Sequence, residues 1–216
     1  MKWLLVVVVV LIFYAVIIRT WFRRWGTTGT EVEEAFPGDD LVPHPKWSYT
    51  HALSIAAPVT VVWPWLVQIG YKRAGWYSYD FLEGLVGVAD FVDGHSANRI
   101  IPELQHLEVG DIILMGPGMG PKVAVIEPNR ALVLHGSDTM QPEGAKATTS
   151  LTTSWVFYLK ELDSTKTRIM TRFRVDYNSS LLNFISMNLF LEPISFMMER
   201  KMLLGIKKRA EAISKR

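Results

Sequence analysis

The sequence predicts an α+β domain carried on one N-terminal membrane-spanning helix. Three observations predict it. The sixteen residues from Trp3 to Ile18 hold no charge and no strong polar group. Between Trp47 and Tyr177, short runs of alternating polarity are separated by Gly, Pro and Asn turn signals. From Ser180 to about Ser214 the chain reads as one long helical region, apolar first and basic later.

The N-terminal run spans roughly 24 Å as a helix at about 1.5 Å per residue. Trp21 and Phe22 extend it past Arg19, whose long side chain can snorkel to the interface. Trp3, Trp21 and Trp25 stand where interfacial aromatics belong. A cleaved signal would carry a basic leader and a small-residue cleavage site, and here only Lys2 precedes the run. Arg19, Arg23 and Arg24 follow it, so the positive-inside rule places the soluble part in the cytoplasm. Residues 1–25 are therefore expected as a single-pass anchor and residues 26–46 as a linker. The linker is punctuated by Gly26, Gly29, Pro37-Gly38 and Pro43-His44-Pro45, with one short helical turn near Thr30 to Ala35.

The domain then occupies residues 47–216. Tyr49 to Ala56 alternates as a strand, with Tyr49, His51, Leu53 and Ile55 on one face. Pro58 opens a helix over Val59 to Ile69, with a kink or break expected near Trp63 because Pro64 follows. Ser78 is the expected cap of a second short helix reaching Leu85. Candidate strands follow at Asp111–Met115, Lys122–Glu127, Ala131–His135, Ser154–Leu162 and Thr167–Tyr177. The last alternates most clearly. Ile169, Thr171, Phe173, Val175 and Tyr177 share a face expected to be buried. Arg168, Met170, Arg172, Arg174 and Asp176 share one expected to be solvated, as in an antiparallel sheet. In the final helix twelve of the eighteen residues from Leu181 to Met198 are apolar, and Pro193 is expected to bend or interrupt it.

Composition excludes several functions. The net charge is +2 with no basic stripe, so no nucleic-acid partner is expected. The chain has no cysteine, which removes disulfides, thiol nucleophiles and cysteine-ligated metals. None of its five histidines pairs at i, i+4, so neither metal nor cofactor is expected. His135-Gly136-Ser137-Asp138 reads as a strand end with its turn, and Gly116 to Gly120 as a hairpin loop. Arg99 either meets an anionic head group or pairs with Asp80, Glu83 or Asp93.

Three segments carry a family likeness: IAAPVTVVWPWL at Ile55–Leu66, GWYSYDFLE at Gly75–Glu83, and EPISFMMERKMLLGIK at Glu192–Lys207. In this order, over residues 47–208, they resemble the START-like superfamily, also called SRPBCC. Its members include polyketide cyclase-type proteins, and the likeness extends to a membrane-anchored bacterial subgroup. The resemblance implies a helix-grip fold, in which a curved antiparallel sheet wraps the long C-terminal helix and leaves a cavity for an apolar ligand. It does not imply a reaction.

Alternation and this likeness together nominate the cavity walls. From the sheet they are Phe157, Ile169, Phe173 and Val175, and from the helix Phe196 and Met198. Trp76 and Tyr79 are placed at the mouth. The expected function is a membrane-anchored protein holding a hydrophobic small molecule or lipid. One alternative is a cyclase- or dehydratase-type enzyme using His51 or His95. It ranks lower because no titratable pair stands at a diagnostic spacing. The other is a non-catalytic assembly subunit. The last helix is apolar on more than one side, which suits the bilayer, a protein partner or a homodimer.

Overall fold

The computed structural model describes residues 2, 3, 6, 9, 14–137 and 151–215. Much of the expected anchor, including Leu4, Leu5 and the stretch from Val10 to Phe13, lies outside the described residues, as does Asp138. A π-helical turn, Tyr14–Ile18, runs into α1 (Arg19–Arg23), and α2 (Gly29–Glu33) follows. Strand β1 (Trp47–Ile55) precedes α3 (Val59–Val67) and α4 (Asp80–Leu85). Next come β2 (Lys122–Glu127), β3 (Ala131–Gly136), β4 (Leu151–Asp163) and β5 (Lys166–Tyr177). The chain ends in one long helix made of α5 (Leu181–Ile185), a π-helical turn (Ser186–Leu191) and α6 (Glu192–Ser214).

The five strands form one antiparallel sheet in the order β1-β5-β4-β3-β2. Its inner face packs against α3 and α6. Leu132, Leu134, Phe157, Leu159 and Ile169 of the sheet meet Trp65 and Leu66 of α3 and Met202, Leu203 and Ile206 of α6. This is the helix-grip arrangement: a sheet closed over a long C-terminal helix.

The outer face differs from the expected wet surface. The chain between α1 and β1 lies across it as a strap. Phe36 packs with Ala52, Val133, Val156 and Met170. Arg172 is 5 % exposed and donates to the carbonyls of Glu31, Val32 and Glu34 and to Asp39 and Thr50. Arg174 holds the carbonyls of Val42 and Pro43, and Arg168 makes a bidentate pair with Glu31. Alternation had put these arginines on the correct face. They are not solvated, because the short helix α2 leaves the carbonyls of its last turn bare, and five-donor guanidinium groups satisfy several at once. Gly26 lets the strap start tightly. Its φ is +73°, and a Cβ there would lie 2.1 Å from the Ala52 carbonyl oxygen.

Four local expectations change. Helix α3 runs through Pro64 without a break, because Val62, Trp65, Leu66 and Val67 are buried and hold the turn in place. Ser78 does not cap α4; its hydroxyl donates to the Met198 carbonyl of α6 at 3.1 Å. Asp111–Met115 is not a strand: it forms an isolated bridge from Ile112 to Lys122, with Ile113 donating to the Pro121 carbonyl and Val123 to the Asp111 carbonyl, and Pro121 has no N–H to donate back and continue a ladder. Pro193 does not break the last helix. The π-helical turn lies just before it, and Glu192 N–H reaches back to the Met187 carbonyl.

Helix α6 approaches Tyr77 through Gly205, where a Cβ would sit 2.5 Å from the Tyr77 carbonyl oxygen. Alanine gains about 1 kcal/mol of helix propensity over glycine, but the clash is with backbone and cannot be relieved by a rotamer. Gly205→Val is therefore expected to lower stability by about 1–3 kcal/mol. A thermal midpoint equal to that of the unaltered protein would show that the helix can shift away freely.

Candidate functional site

The register of the sheet lines up two ranks of side chains at one end of the inner face. Trp47 opposes Val175, which opposes Thr153; Tyr49 opposes Phe173, which opposes Trp155. Directly opposed residues share a face, so these six form the floor of a cavity of about 410 Å³. Trp76 forms one wall and stacks on Trp155 at 5.8 Å. Met187, Leu191, Met198 and Met202 of the long helix form the opposite wall. The volume falls in the range of small-molecule sites. Val86, just after α4, and Leu191 line the cavity and are also exposed, so the mouth opens between them.

The cavity is lined mainly by apolar side chains, and two carboxyls stand out among its few polar ones. Glu83 of α4 is 1 % exposed and Glu199 of α6 is 4 % exposed, and neither oxygen of either carboxyl has a hydrogen-bond partner in the protein. Both line the cavity. Burial, followed by the nearby Asp80 charge, pushes the Glu83 carboxyl up to about 7. The indole N–H groups of Trp47 and Trp155 are likewise unpartnered. Around Glu199, burial and the Glu199 charge raise the Tyr49 phenol well above its ordinary value. His51 stacks on Tyr49 at 4.3 Å, stands 3.7 Å from Glu199 and contacts the Phe22 carbonyl at 2.7 Å. Apolar walls thus surround a few fixed acceptors and donors, which suits an apolar ligand with one or two polar groups.

Trp76, Phe173, Val175 and Met198 are the sequence-nominated residues that line this cavity. Phe157 and Ile169 share the inner face but lie further along the strands, where Met202, Leu203 and Ile206 seal them into the core. Tyr79 is half-exposed beneath the Lys201 ammonium and does not reach the cavity. Phe196 faces the N-terminal segment, stacking on Phe22 at 4.6 Å and meeting Trp21 edge-on at 5.1 Å. Trp47, Thr153, Trp155, Glu83 and Glu199 had not been nominated. A signal for Glu199 exists: it shares the buried stripe of α6 with Phe196, Leu203, Ile206 and Ala210.

Other titratable groups are occupied structurally. Arg99 pairs with Asp93 at 2.9 Å, and His95 contacts the Ser96 carbonyl. Among the described residues no group of three or more His, Asp and Glu gathers to hold a metal ion. A second depression, of about 560 Å³, runs between α6 and residues 96–98. Two of its polar residues are held structurally: Asp80 accepts from Ser96, and Arg209 donates to the Ala97 carbonyl.

No protein-family model and no curated protein matches the chain. Solved structures do. The chain is similar to a protein from Mesorhizobium loti at 13% identity, covering 77% of this chain and 98% of that one with a TM-score of 0.42. It is similar to the Zhui aromatase/cyclase from a Streptomyces species at 13% identity, covering 76% and 93% with a TM-score of 0.34. It is also similar to the di-domain aromatase/cyclase StfQ of a steffimycin biosynthetic pathway, at 11% identity, covering 78% and 52% with a TM-score of 0.41. The likeness is one of fold, and the site above rests on this chain's own residues.

Among the described residues one helix, Leu181–Ser214, is long and apolar enough to cross a membrane by length and composition, a property that core helices of soluble proteins share.

Proposed function

We propose that this protein is a membrane-anchored binding protein that holds a hydrophobic small molecule or lipid in the cavity between the sheet and the C-terminal helix. The observation that carries the reading is the cavity itself. It has aromatic and methionine walls and two buried carboxyls, Glu83 without a protein partner and Glu199 facing His51 at 3.7 Å and the Tyr49 phenol. The walls supply affinity at about 25 cal/mol per Å² of apolar area removed from water, before association costs. The carboxyls select a ligand that brings a hydroxyl, an amide N–H or a protonated amine to them. The arginines after the N-terminal apolar run support a cytoplasmic domain by the positive-inside rule. Native mass spectrometry of the full-length protein in mild detergent, with organic extraction, tests the reading. One defined apolar molecule per chain is expected. A protein that stays empty and binds no lipid or isoprenoid from a panel would sink it.

A second reading is favoured by Glu83 alone. A carboxyl near 7, buried beside an apolar cavity, is poised to give or take a proton at neutral pH. In a cyclase- or dehydratase-type enzyme it would be the acid or base. Glu83→Gln separates the two readings. An enzyme keeps its ligand and loses turnover by about 100-fold or more, whereas a carrier changes only in affinity.

Two carboxyls give opposite pH dependences of stability. The Glu83 pKa is raised from 4.5 to about 7 on folding, so its protonated form favours the fold. That contribution is complete below about 4.5 and is lost as pH rises through 7. It amounts to about 1–2 kcal/mol, reduced because the cavity beside it admits screening water. The Arg168 hydrogen bonds lower Glu31 to about 2, so its contribution is complete above about 4.5 and is lost as pH falls through 2. Thermal midpoints against pH are expected to flatten between 4.5 and 7 in Glu83→Gln, and between 4.5 and 2 in Glu31→Gln. Unchanged slopes would contradict the assignments.

A further inference from the structure

We propose that the first half of the C-terminal helix, from Leu181 to Leu191, lies in the bilayer beside the N-terminal apolar helix, so that the cavity mouth faces lipid. The route of ligand entry rests on the binding reading above; the embedding does not.

The helix changes character along its length. From Met202 onward it has one buried stripe and charged residues elsewhere, as a helix between core and water should. From Leu181 to Leu191 there is no charge, and Leu181, Leu182, Phe184, Leu189 and Phe190 are all exposed, Leu181 to 76 % and Phe190 to 64 %. Of the eighteen residues in its most apolar window, 17% are buried, which is not how a core helix sits. These side chains are spread around the helix and do not form one stripe. A second copy of the chain would cover one side and leave the others in water. An apolar solvent covers all of them.

The two asparagines of this half and the serine that caps it are hydrogen-bonded within the segment, as hydrocarbon requires. Ser180 accepts from the Asn183 N–H, Asn183 donates to Asn178, and Asn188 donates to the Phe184 carbonyl. The border of the apolar surface is also defined. Arg19 and Arg23 of α1 converge on Glu192, which is buried, at 2.8 and 2.6 Å, and Arg19 also reaches Asn188. Charges at a lipid boundary are tolerated when paired in this way. Above the pair, Val16, Ile17 and Trp21 of the N-terminal helix are exposed, continuing the apolar surface of the C-terminal helix. Met187 and Leu191 belong to this half and line the cavity. A molecule dissolved in the bilayer reaches the mouth without crossing water.

The chain has no cysteine, so single-cysteine variants can be labelled cleanly. Phe184→Cys and Phe190→Cys, both at exposed positions, would carry an environment-sensitive nitrobenzoxadiazole label in the full-length protein. The protein would be reconstituted into phosphatidylcholine–phosphatidylglycerol vesicles. Leu162→Cys, exposed at the opposite end of the sheet, is the control. Blue-shifted emission quenched by nitroxide-bearing lipid is expected at 184 and 190 and not at 162. Quenching of 184 and 190 by aqueous iodide, as at 162, would overturn the embedding. So would cross-linking of unlabelled Phe184→Cys between copies without lipid quenching, which would assign the face to a dimer. The readout concerns embedding alone, so an empty cavity in the mass spectrometric test leaves it standing.

Discussion

Replacing Arg172 with methionine is expected to lower the stability of the domain by about 3–5 kcal/mol. The guanidinium is buried in the outer face of the sheet, over the Phe36 ring at 4.2 Å. It donates to Asp39 at 2.7 Å, to Thr50 at 3.0 Å and to the carbonyls of Glu31, Val32 and Glu34. Methionine keeps much of the stem volume but leaves three carbonyls without their donor and takes one donor from the Asp39 carboxylate, which keeps the Phe36 N–H and Arg174. Each buried acceptor left unpaired costs about 1–3 kcal/mol, and the strap relieves part of that by peeling away into water. Peeling exposes Phe36, so the loss is one of packing as well as of hydrogen bonds. Arg172→Lys is expected to recover little, because one ammonium cannot span the same set of acceptors. Denaturant unfolding of both variants checks the claim. A midpoint unchanged in the methionine variant would mean that the strap is held by Phe36 and Leu41 alone.

Thr153→Phe is expected to weaken ligand binding on the order of 50- to 100-fold while leaving the fold intact. Thr153 lines the cavity and stands opposite Gly136 on β3 and Val175 on β5. A phenyl ring there fills space without displacing packed neighbours, and aromatic residues suit strands. Denying a ligand about 100 Å² of apolar contact costs roughly 2.5 kcal/mol, close to two powers of ten in affinity. Titration of the extracted ligand, alongside thermal unfolding, separates the two effects. Full affinity in a stable variant would move the binding site elsewhere.

These two sites show which kinds of information a sequence carries. Alternation in β5 assigned Arg172 and Phe173 to opposite faces, because a strand repeats every two residues whatever surrounds it. The same alternation left Arg172 in water, because what covers a face is decided by a segment more than 130 residues away, with no period of its own. The four strands Trp47–Ile55, Lys122–Glu127, Ala131–Gly136 and Lys166–Tyr177 were readable within two residues, from local polarity and turn chemistry. Pro64 misled, because burial of one helix face outweighed one missing N–H.

The candidate site was legible only in part for the same reason. Phe157, Ile169, Phe173 and Val175 are alike in sequence: all are apolar and on one face of adjacent strands. Where the long helix crosses that face decides that the first two are core and the last two line the cavity. Glu83 and Glu199 come from different helices, and only packing brings both to one cavity. Sequence by itself determined the order of elements, the alternating faces, the apolar character of the N-terminal run and of the first half of the last helix, and the absence of thiol chemistry. Those properties follow from residue types at fixed local spacing. Tertiary structure alone decided where the cavity lies, which carboxyls it buries, and that Arg19 and Arg23 meet Glu192 across some 170 residues. Burial and pairing depend on distant segments meeting, and no local period records that.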